Sequence, residues 1–325
     1  MGSSTHESTM RSLSEPHPET GGGERSIRPR AVEPRGSSWW RASALRRFSR
    51  NRGATGGAVA LVGLLLMALF GPLVLDQDPT LTDLGARLQS PSTAHWFGTD
   101  ELGRDLFARV VHGGRISLSI GLVSVSLGLL VGVPLGVIAA YYGGWTDKIL
   151  MRVVDIMLSF PTILLAIVVV TVLGPSLYNA MVAIGIAQMP VYARIVRGVA
   201  LSLREQEFIQ AARALGASDA RIVVRHLIPN CLPPLIVQSS LLTGAAIISA
   251  AYLGFLGLGA QPPSPEWGTM LSKGRLYLRS SPHVVLIPGA AIVLSVLSFN
   301  LLGDGLREAL DPRLRGTLFR GRGDR

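Results

Sequence analysis

The chain has 325 residues, of which only 16% are charged, and a net charge of +10. Because a soluble domain has about 25% charged residues, this composition argues against a soluble enzyme or nucleic-acid-binding protein and favours a membrane protein. Its single cysteine, Cys231, excludes a disulfide framework and a C-x-x-C metal or redox pair. We find no phosphate-binding loop, H-E-x-x-H or G-x-S-x-G motif, so we expect neither a cofactor nor a catalytic site.

The N-terminal segment has two parts. Residues 1–38 are rich in Gly, Ser, Glu, Pro and Arg, which predicts a disordered cytoplasmic tail, and both Met1 and Met10 remain open as the start. Residues 39–52 place aromatic and basic side chains on opposite faces of a helix, as in a helix lying in the membrane interface. The alternative is a basic flank that only fixes the topology.

Charge-free runs mark the membrane spans, because a charge at the bilayer centre costs about 2.5–3.5 kcal/mol on insertion scales. A span needs about 20 residues, so the long run at 156–193, interrupted by the turn sequence LGPSLYN, holds two spans and the chain holds six. The predicted order is a first span at 53–76, an extracytoplasmic loop with a short helix at 77–116, a core with five spans at 117–310, a cytoplasmic loop at 197–230 within that core, and a C-terminal tail at 311–325.

The distribution of Lys and Arg predicts the orientation. With a cytoplasmic N-terminus, 24 of the 31 basic residues fall on the cytoplasmic side and seven on the other. We therefore predict that both termini and the loop at 197–230 are cytoplasmic. In the second span, Gly128, Gly132 and Gly136 recur every four residues, which allows a neighbouring helix to approach closely.

Residues 207–230, EFIQAARALGASDARIVVRHLIPN, read as a charged helical hairpin between two spans. Gly216 can adopt the left-handed conformation that ends a first helix, and Ser218 can cap a second. Pro229 is predicted to stop that second helix before the chain re-enters the membrane.

The hairpin has three possible functions. A helix-turn-helix that reads DNA is disfavoured, because membrane tethers and the missing third helix prevent docking into a major groove. A passive solvated loop would leave Phe208, Ile209 and Leu215 in water. Docking into a cytoplasmic partner fits best, and we expect Gly216→Leu to uncouple such a partner by crowding the helix end.

The hairpin resembles the EAA loop of bacterial ABC importer permeases, with Gln where that family often has Glu. The matching residues are Gln210, Ala211, Ala212, Gly216 and Pro229. Three further stretches, 97–118, 255–271 and 300–315, resemble signatures of the second permease subunit of dipeptide, oligopeptide and nickel importers. The resemblance implies an all-α type I importer permease fold in the bacterial cytoplasmic membrane, an ATPase-coupling role for the five hairpin residues, and no enzymatic activity in this chain.

The same resemblance implies the partners: a homologous second permease, two cytoplasmic ABC ATPases, an extracytoplasmic solute-binding protein, a peptide substrate and membrane lipid, but no nucleic acid. On the extracytoplasmic side, Thr99 is predicted to cap a helix at 100–111, which with the loop at 261–281 would form a lip that receives cargo from the binding protein. The alternative there is a metal site formed by His95, Asp100, Asp105 and His112.

The spans contain almost no ionisable residues, which argues against a proton- or sodium-coupled carrier. Their polar residues could line a translocation path for peptides, or could form hydrogen bonds between helices. These residues are Asn179, Gln188, Gln238, Ser239, Ser240 and Asn300. A path for nickel or another small solute remains the alternative.

Overall fold

A computed structural model describes residues 48–310, which form helices and loops without a β-sheet. The predictions for residues 1–38, for most of 39–52 and for 311–325 lie outside this range; residues 48–50 are helical. The helices are α1 (Arg52–Val74), α2 (Leu106–Tyr142), α3 (Gly144–Leu158), α4 (Thr162–Leu173), α5 (Leu177–Arg204), α6 (Glu207–Ala214), α7 (Asp219–Ile222), α8 (Ile228–Phe255), α9 (Trp267–Gly274) and α10 (His283–Leu310).

Five helices in the described range are long and apolar enough to cross a membrane: α1, α2, α5, the continuous helix Asp219–Phe255 that contains α7 and α8, and α10. The predicted third span is broken, because α3 and α4 meet at an angle of 95°. With 12 residues, α4 is about 18 Å long and shorter than the roughly 30 Å hydrocarbon core. The six predicted spans are thus five continuous helices and one bent pair.

Two helices, α2 and α8, form the centre of the bundle, because both contribute to each of its three apolar clusters. The first cluster joins them to α1, α9 and α10 around the buried Trp267. The second joins them to α4 and α5. The third joins them to α5 and to residues 209–227, so the hairpin packs on the same two central helices.

The predicted glycine repeat lies where α2 contacts α5. A Cβ at Gly132 would lie 2.6 Å from the Met189 carbonyl oxygen, and a Cβ at Gly136 would lie 2.4 Å from that of Ala193. Neither distance leaves room for a side chain, and both obstacles are backbone atoms. The two helix backbones are therefore in direct contact.

A proline in α1 is compensated from α2. Pro72 has no N–H to donate to the Ala68 carbonyl one turn earlier. Arg115 supplies a donor instead, with Nε 2.9 Å from the Ala68 oxygen and Nη2 2.7 Å from the Leu69 oxygen. An arginine at the end of one span thereby satisfies the backbone of another, as membrane helices require.

The predicted helix at 100–111 is wrong at its start. Asp105 caps the helix in place of Thr99, since its Oδ1 accepts the Ala108 N–H at 2.8 Å. Thr99 is buried, and its hydroxyl donates to the Ala86 carbonyl, which holds this segment as an ordered loop. The helix that begins after Asp105 is not separate but is the first part of the 37-residue α2.

The α2–α5 contact predicts the effect of adding one methyl group. Gly136→Ala should lower the unfolding temperature of the detergent-solubilised chain, because overpacking costs about 1–3 kcal/mol. Gly63→Ala in α1 is the matched control, since no atom lies within 4 Å of its Cβ position and alanine favours a helix by about 0.8–1.0 kcal/mol. Equal unfolding temperatures for the two variants would show that α2 and α5 do not touch.

Candidate coupling hairpin and translocation path

The hairpin consists of α6 and α7, joined by a tight turn. Gly216 has φ of +81°, which confirms the predicted left-handed conformation. The Ala217 N–H bonds back to the Ala212 carbonyl at 3.0 Å, which satisfies the end of α6. Ser218 caps α7 as predicted, with its hydroxyl oxygen accepting the Arg221 N–H at 3.4 Å.

The two faces of the hairpin have different environments. Ile209, Ile222 and Leu227 are fully buried against α2 and α5 and attach the hairpin to the spans. On the outer face, Phe208 is 44% exposed and Leu215, at the tip, is 88% exposed. Of the predicted coupling residues, Ala212 is half-buried, and the exposed ones are Gln210, Ala211, Gly216 and Pro229.

The prediction that Pro229 ends the second hairpin helix is wrong. A π-helical turn at Val223–Leu227 joins α7 to α8, so one helix runs without interruption from Asp219 to Phe255. In this turn the Ile228 N–H bonds to the Val223 carbonyl, five residues earlier. Pro229 stands in the first turn of α8, where a missing N–H is tolerated.

A polar contact that sequence reasoning missed joins the hairpin to α2. The Tyr141 hydroxyl donates to Asp219 Oδ1 at 2.5 Å, and the Arg213 guanidinium lies 5.6 Å from the Tyr141 ring centre. Tyr141 therefore contacts α6 and α7 together from the C-terminal end of α2. Because Tyr141 and Asp219 are 78 residues apart, no local pattern indicated the pair.

Among the predicted path residues, Asn179 lies in the first turn of α5, and its side chain contacts the loop before that helix. Its Nδ2 donates to the carbonyls of Leu173 and Gly174, both at 2.9 Å, and so it holds the connection from α4 to α5. Gln188 of α5 is buried and donates from Nε2 to the Leu242 carbonyl of α8 at 3.0 Å. Its Oε1 is buried without a hydrogen-bond partner in the described structure.

The remaining path residues lie on α8 and α10. The Ser239 hydroxyl donates to the Leu235 carbonyl at 2.7 Å and accepts the Tyr192 hydroxyl at 3.2 Å, which joins α8 to α5. Ser240 donates to its own helix, and Gln238 is half-buried beside it. Asn300 of α10 is half-buried opposite Gly244 of α8. All six thus lie on α5, α8 and α10, and their role in a path stays a prediction.

The two segments predicted to form a lip, the helix at 100–111 and the loop at 261–281, do contact each other. Trp267 Nε1 donates to the Val110 carbonyl at 3.0 Å. Arg87, in the loop before the predicted helix, adds a bond to the Tyr277 hydroxyl at 2.9 Å. The Glu266 carboxylate caps α9 by accepting the N–H groups of Gly268 and Thr269, and burial raises the pKa of this carboxyl. These contacts fix α9 against the start of α2.

The alternative metal site is contradicted. His95 Nδ1 pairs with Asp105 Oδ2 at 2.9 Å, whereas Asp100 pairs with Arg104 at 2.7 Å. His112 Nδ1 lies 2.8 Å from the carbonyl oxygen one turn earlier. Within residues 48–310, no group of three or more His, Cys, Asp and Glu side chains could hold a metal ion.

Comparison with protein families identifies the helical bundle. A family model described as the binding-protein-dependent transport system inner membrane component matches residues 132–316, more than half of the chain. The chain belongs to this family of membrane permeases. A second model, the N-terminal TM domain of oligopeptide transport permease C, matches residues 38–91 of the permease.

Relatives of this permease cover nearly its whole length. It is 50% identical over 276 residues to the dipeptide transport system permease protein DppC of Alkalihalophilus pseudofirmus, covering 85% of this chain and 90% of that protein. It is 50% identical to the probable D,D-dipeptide transport system permease protein DdpC of Escherichia coli, and the match covers 80% of this chain and 87% of that protein. It is 44% identical to the glutathione transport system permease protein GsiD of Pectobacterium atrosepticum, and the match covers 89% of this chain and 95% of that protein.

A solved structure has the same fold. The permease aligns with a chain of the inward-facing MetNI methionine ABC transporter with a TM-score of 0.52 and 24% identity, covering 63% of this chain and 98% of that one. This likeness supports the predicted importer permease fold. The chain is therefore a multi-pass inner-membrane permease subunit, and ATP hydrolysis takes place on separate ATPase subunits.

The Tyr141 contact predicts that one hydroxyl group stabilises the hairpin. Tyr141→Phe should accelerate amide hydrogen exchange in α6 and α7, because a hydrogen bond to a partly exposed carboxylate contributes about 1.5 kcal/mol. Tyr142→Phe, which removes the hydroxyl of the exposed neighbouring ring, is the control. If mass spectrometry gives the same exchange rates for both variants, Tyr141 does not hold the hairpin.

Proposed function

We propose that this permease is a transmembrane subunit of an ATP-driven importer for dipeptides or oligopeptides. The observation that carries the substrate class is its identity of 44–50%, over four fifths or more of its length, to permeases named for dipeptide, D,D-dipeptide and glutathione transport. Glutathione is itself a tripeptide, so these names share one chemical class. Nickel as the transported solute is not favoured, because these three relatives are named for peptide transport.

In this proposal the hairpin transmits movement from the ATPases to the path. The apolar tip around Leu215 would enter a groove in a cytoplasmic ATPase, where its exposed surface would be buried. Because one helix continues from the hairpin to Phe255, displacement of α7 would move Gln238 and Ser239 in the same direction. The permease would thereby alternate between inward-facing and outward-facing states.

The assembly we propose contains a homologous second permease, which completes the path, two ATPases, and a solute-binding protein that delivers peptide to the extracytoplasmic lip. We also propose that both termini are cytoplasmic, which the excess of basic residues predicted for that side supports. The polar groups on α5, α8 and α10 would hydrogen-bond to peptide amides. The Oε1 of Gln188 is an unpartnered acceptor that would join them only after a conformational change exposes it, because it is buried here.

The role of the tip predicts the effect of a charge there. Leu215→Asp should lower peptide uptake by reconstituted transporter about tenfold or more, because an unpaired charge is costly in an apolar interface. ATPase subunits should also fail to co-purify. Leu84→Asp, at a comparably exposed leucine of the extracytoplasmic loop, is the control. Unchanged co-purification and uptake for Leu215→Asp would refute docking at the tip.

The expected crowding at Gly216 needs correction, because no atom of the chain lies within 4 Å of its Cβ position. Gly216→Leu should still impair uptake, since the positive φ strains a residue with a side chain by about 1–2 kcal/mol. Gly216→Asn should impair uptake less, because asparagine tolerates this conformation. Equal uptake by the leucine variant and the wild type would show that the turn geometry is not required.

A further inference from the structure

The helix α3 lies across the direction of the spans. It meets α4 at 95°, so it runs close to the plane of the membrane if α4 points into the bilayer. Two ion pairs fix it to α5: both oxygens of Asp147 lie 2.6 Å from Arg197, and Asp155 lies 2.5 Å from Arg194. The acidic face of α3 is thus occupied.

A different face of α3 carries an exposed apolar stripe. Trp145, Ile149, Val153 and Ile156 recur at intervals of four, four and three residues, and each is more than half exposed. Beyond the bend, α4 exposes Leu164, Val168 and Val172. The stripe therefore continues into a helix that enters the hydrocarbon, as expected for a helix lying in the membrane interface.

Two cations border this stripe. Lys148 and Arg152 are one turn apart, and the Lys148 ammonium lies 5.3 Å from the Trp145 ring centre. Beside them is a cavity of about 590 Å³, whose lining is both polar and apolar. Since Arg197 and Arg194 already neutralise the acidic residues of α3, the two cations give the cavity a net positive charge.

We propose that α3 and this cavity form a binding site for the headgroup of an anionic phospholipid. The phosphate would contact Lys148 and Arg152, and the acyl chains would pass the apolar stripe of α3 and extend into the bilayer beside the exposed face of α4. Basic pockets beside membrane helices bind such headgroups through the same chemistry, and each cation near an anionic surface contributes about 1 kcal/mol. The assignment of this site to the cytoplasmic leaflet rests on the proposed orientation of the chain, whereas the binding of the headgroup does not.

Lipid at this site would act close to the hairpin. The ion pairs attach α3 to the part of α5 that ends at Arg204, three residues before α6 begins. The position of α3 in the interface therefore affects where the hairpin starts, which makes the headgroup a candidate regulator of coupling.

The test is quenching of Trp145 fluorescence by brominated lipid in vesicles that contain the full-length chain or the assembled transporter. The fluorescence of Trp145 is obtained as the difference between the signal of the wild type and that of the Trp145→Phe variant. Brominated phosphatidylglycerol should quench it at a lower mole fraction than brominated phosphatidylcholine. Combined Lys148→Gln and Arg152→Gln should reduce this preference about fivefold for each cation removed.

The matched control is Arg221→Gln with Arg225→Gln, which removes two exposed cations from the hairpin and should leave the preference unchanged. Free inorganic phosphate should not compete, because the site needs the acyl chains. Equal quenching by the two lipids would overturn the proposal. So would loss of quenching in the assembled transporter, since a protein partner would then cover the stripe. Neither readout depends on transport, so a failed importer assignment would leave this test intact.

Discussion

The unbroken helix that runs from the hairpin to Phe255 at the opposite end of the bundle is the constraint on which the other functional features depend. A break at Pro229 would let the hairpin move without the spans. The π-helical turn at Val223–Leu227 instead keeps the backbone hydrogen-bonded while accommodating the proline. Movement of α7 is then movement of α8, which carries Ser239 and contacts Gln188 of α5.

This helix functions within a rigid surrounding. The α2 backbone contacts α5 directly at Gly132 and Gly136, so these two helices cannot slide independently without losing backbone contact. The hairpin is attached to the same pair through buried aliphatic side chains and through Tyr141. The structure thus combines a firmly packed inner face with an outer face on which Leu215 is open to a partner.

The sequence predicted the features that follow from local physics. Charges are excluded from the hydrocarbon, so the spans were visible as charge-free runs, and the conformations of Gly216 and Ser218 followed from glycine and capping rules. Prediction from the sequence failed where the same residue type is compatible with two local structures. Pro229 could end a helix or stand in its first turn, and the choice depends on a π turn that no composition reveals.

The other errors have the same origin in tertiary structure. Thr99 was a plausible cap, but its hydroxyl donates to a carbonyl 13 residues earlier in the chain. The contact between Tyr141 and Asp219 joins elements that are distant in sequence, and so does the packing of α3 on α5. Length alone suggested an ordinary third span, whereas the bend before α4 follows from Pro161 in the sequence SFPT.

The bond from Arg115 to the carbonyl of Ala68 has a consequence for biogenesis. The last turn of α1 lacks its own donor at Pro72, so that helix is complete only when α2 lies beside it. A first helix that entered lipid before α2 would carry an unsatisfied carbonyl, which is costly there. Insertion of α1 and α2 together would avoid that cost, and a fusion or truncation placed between them would separate the acceptor from its donor.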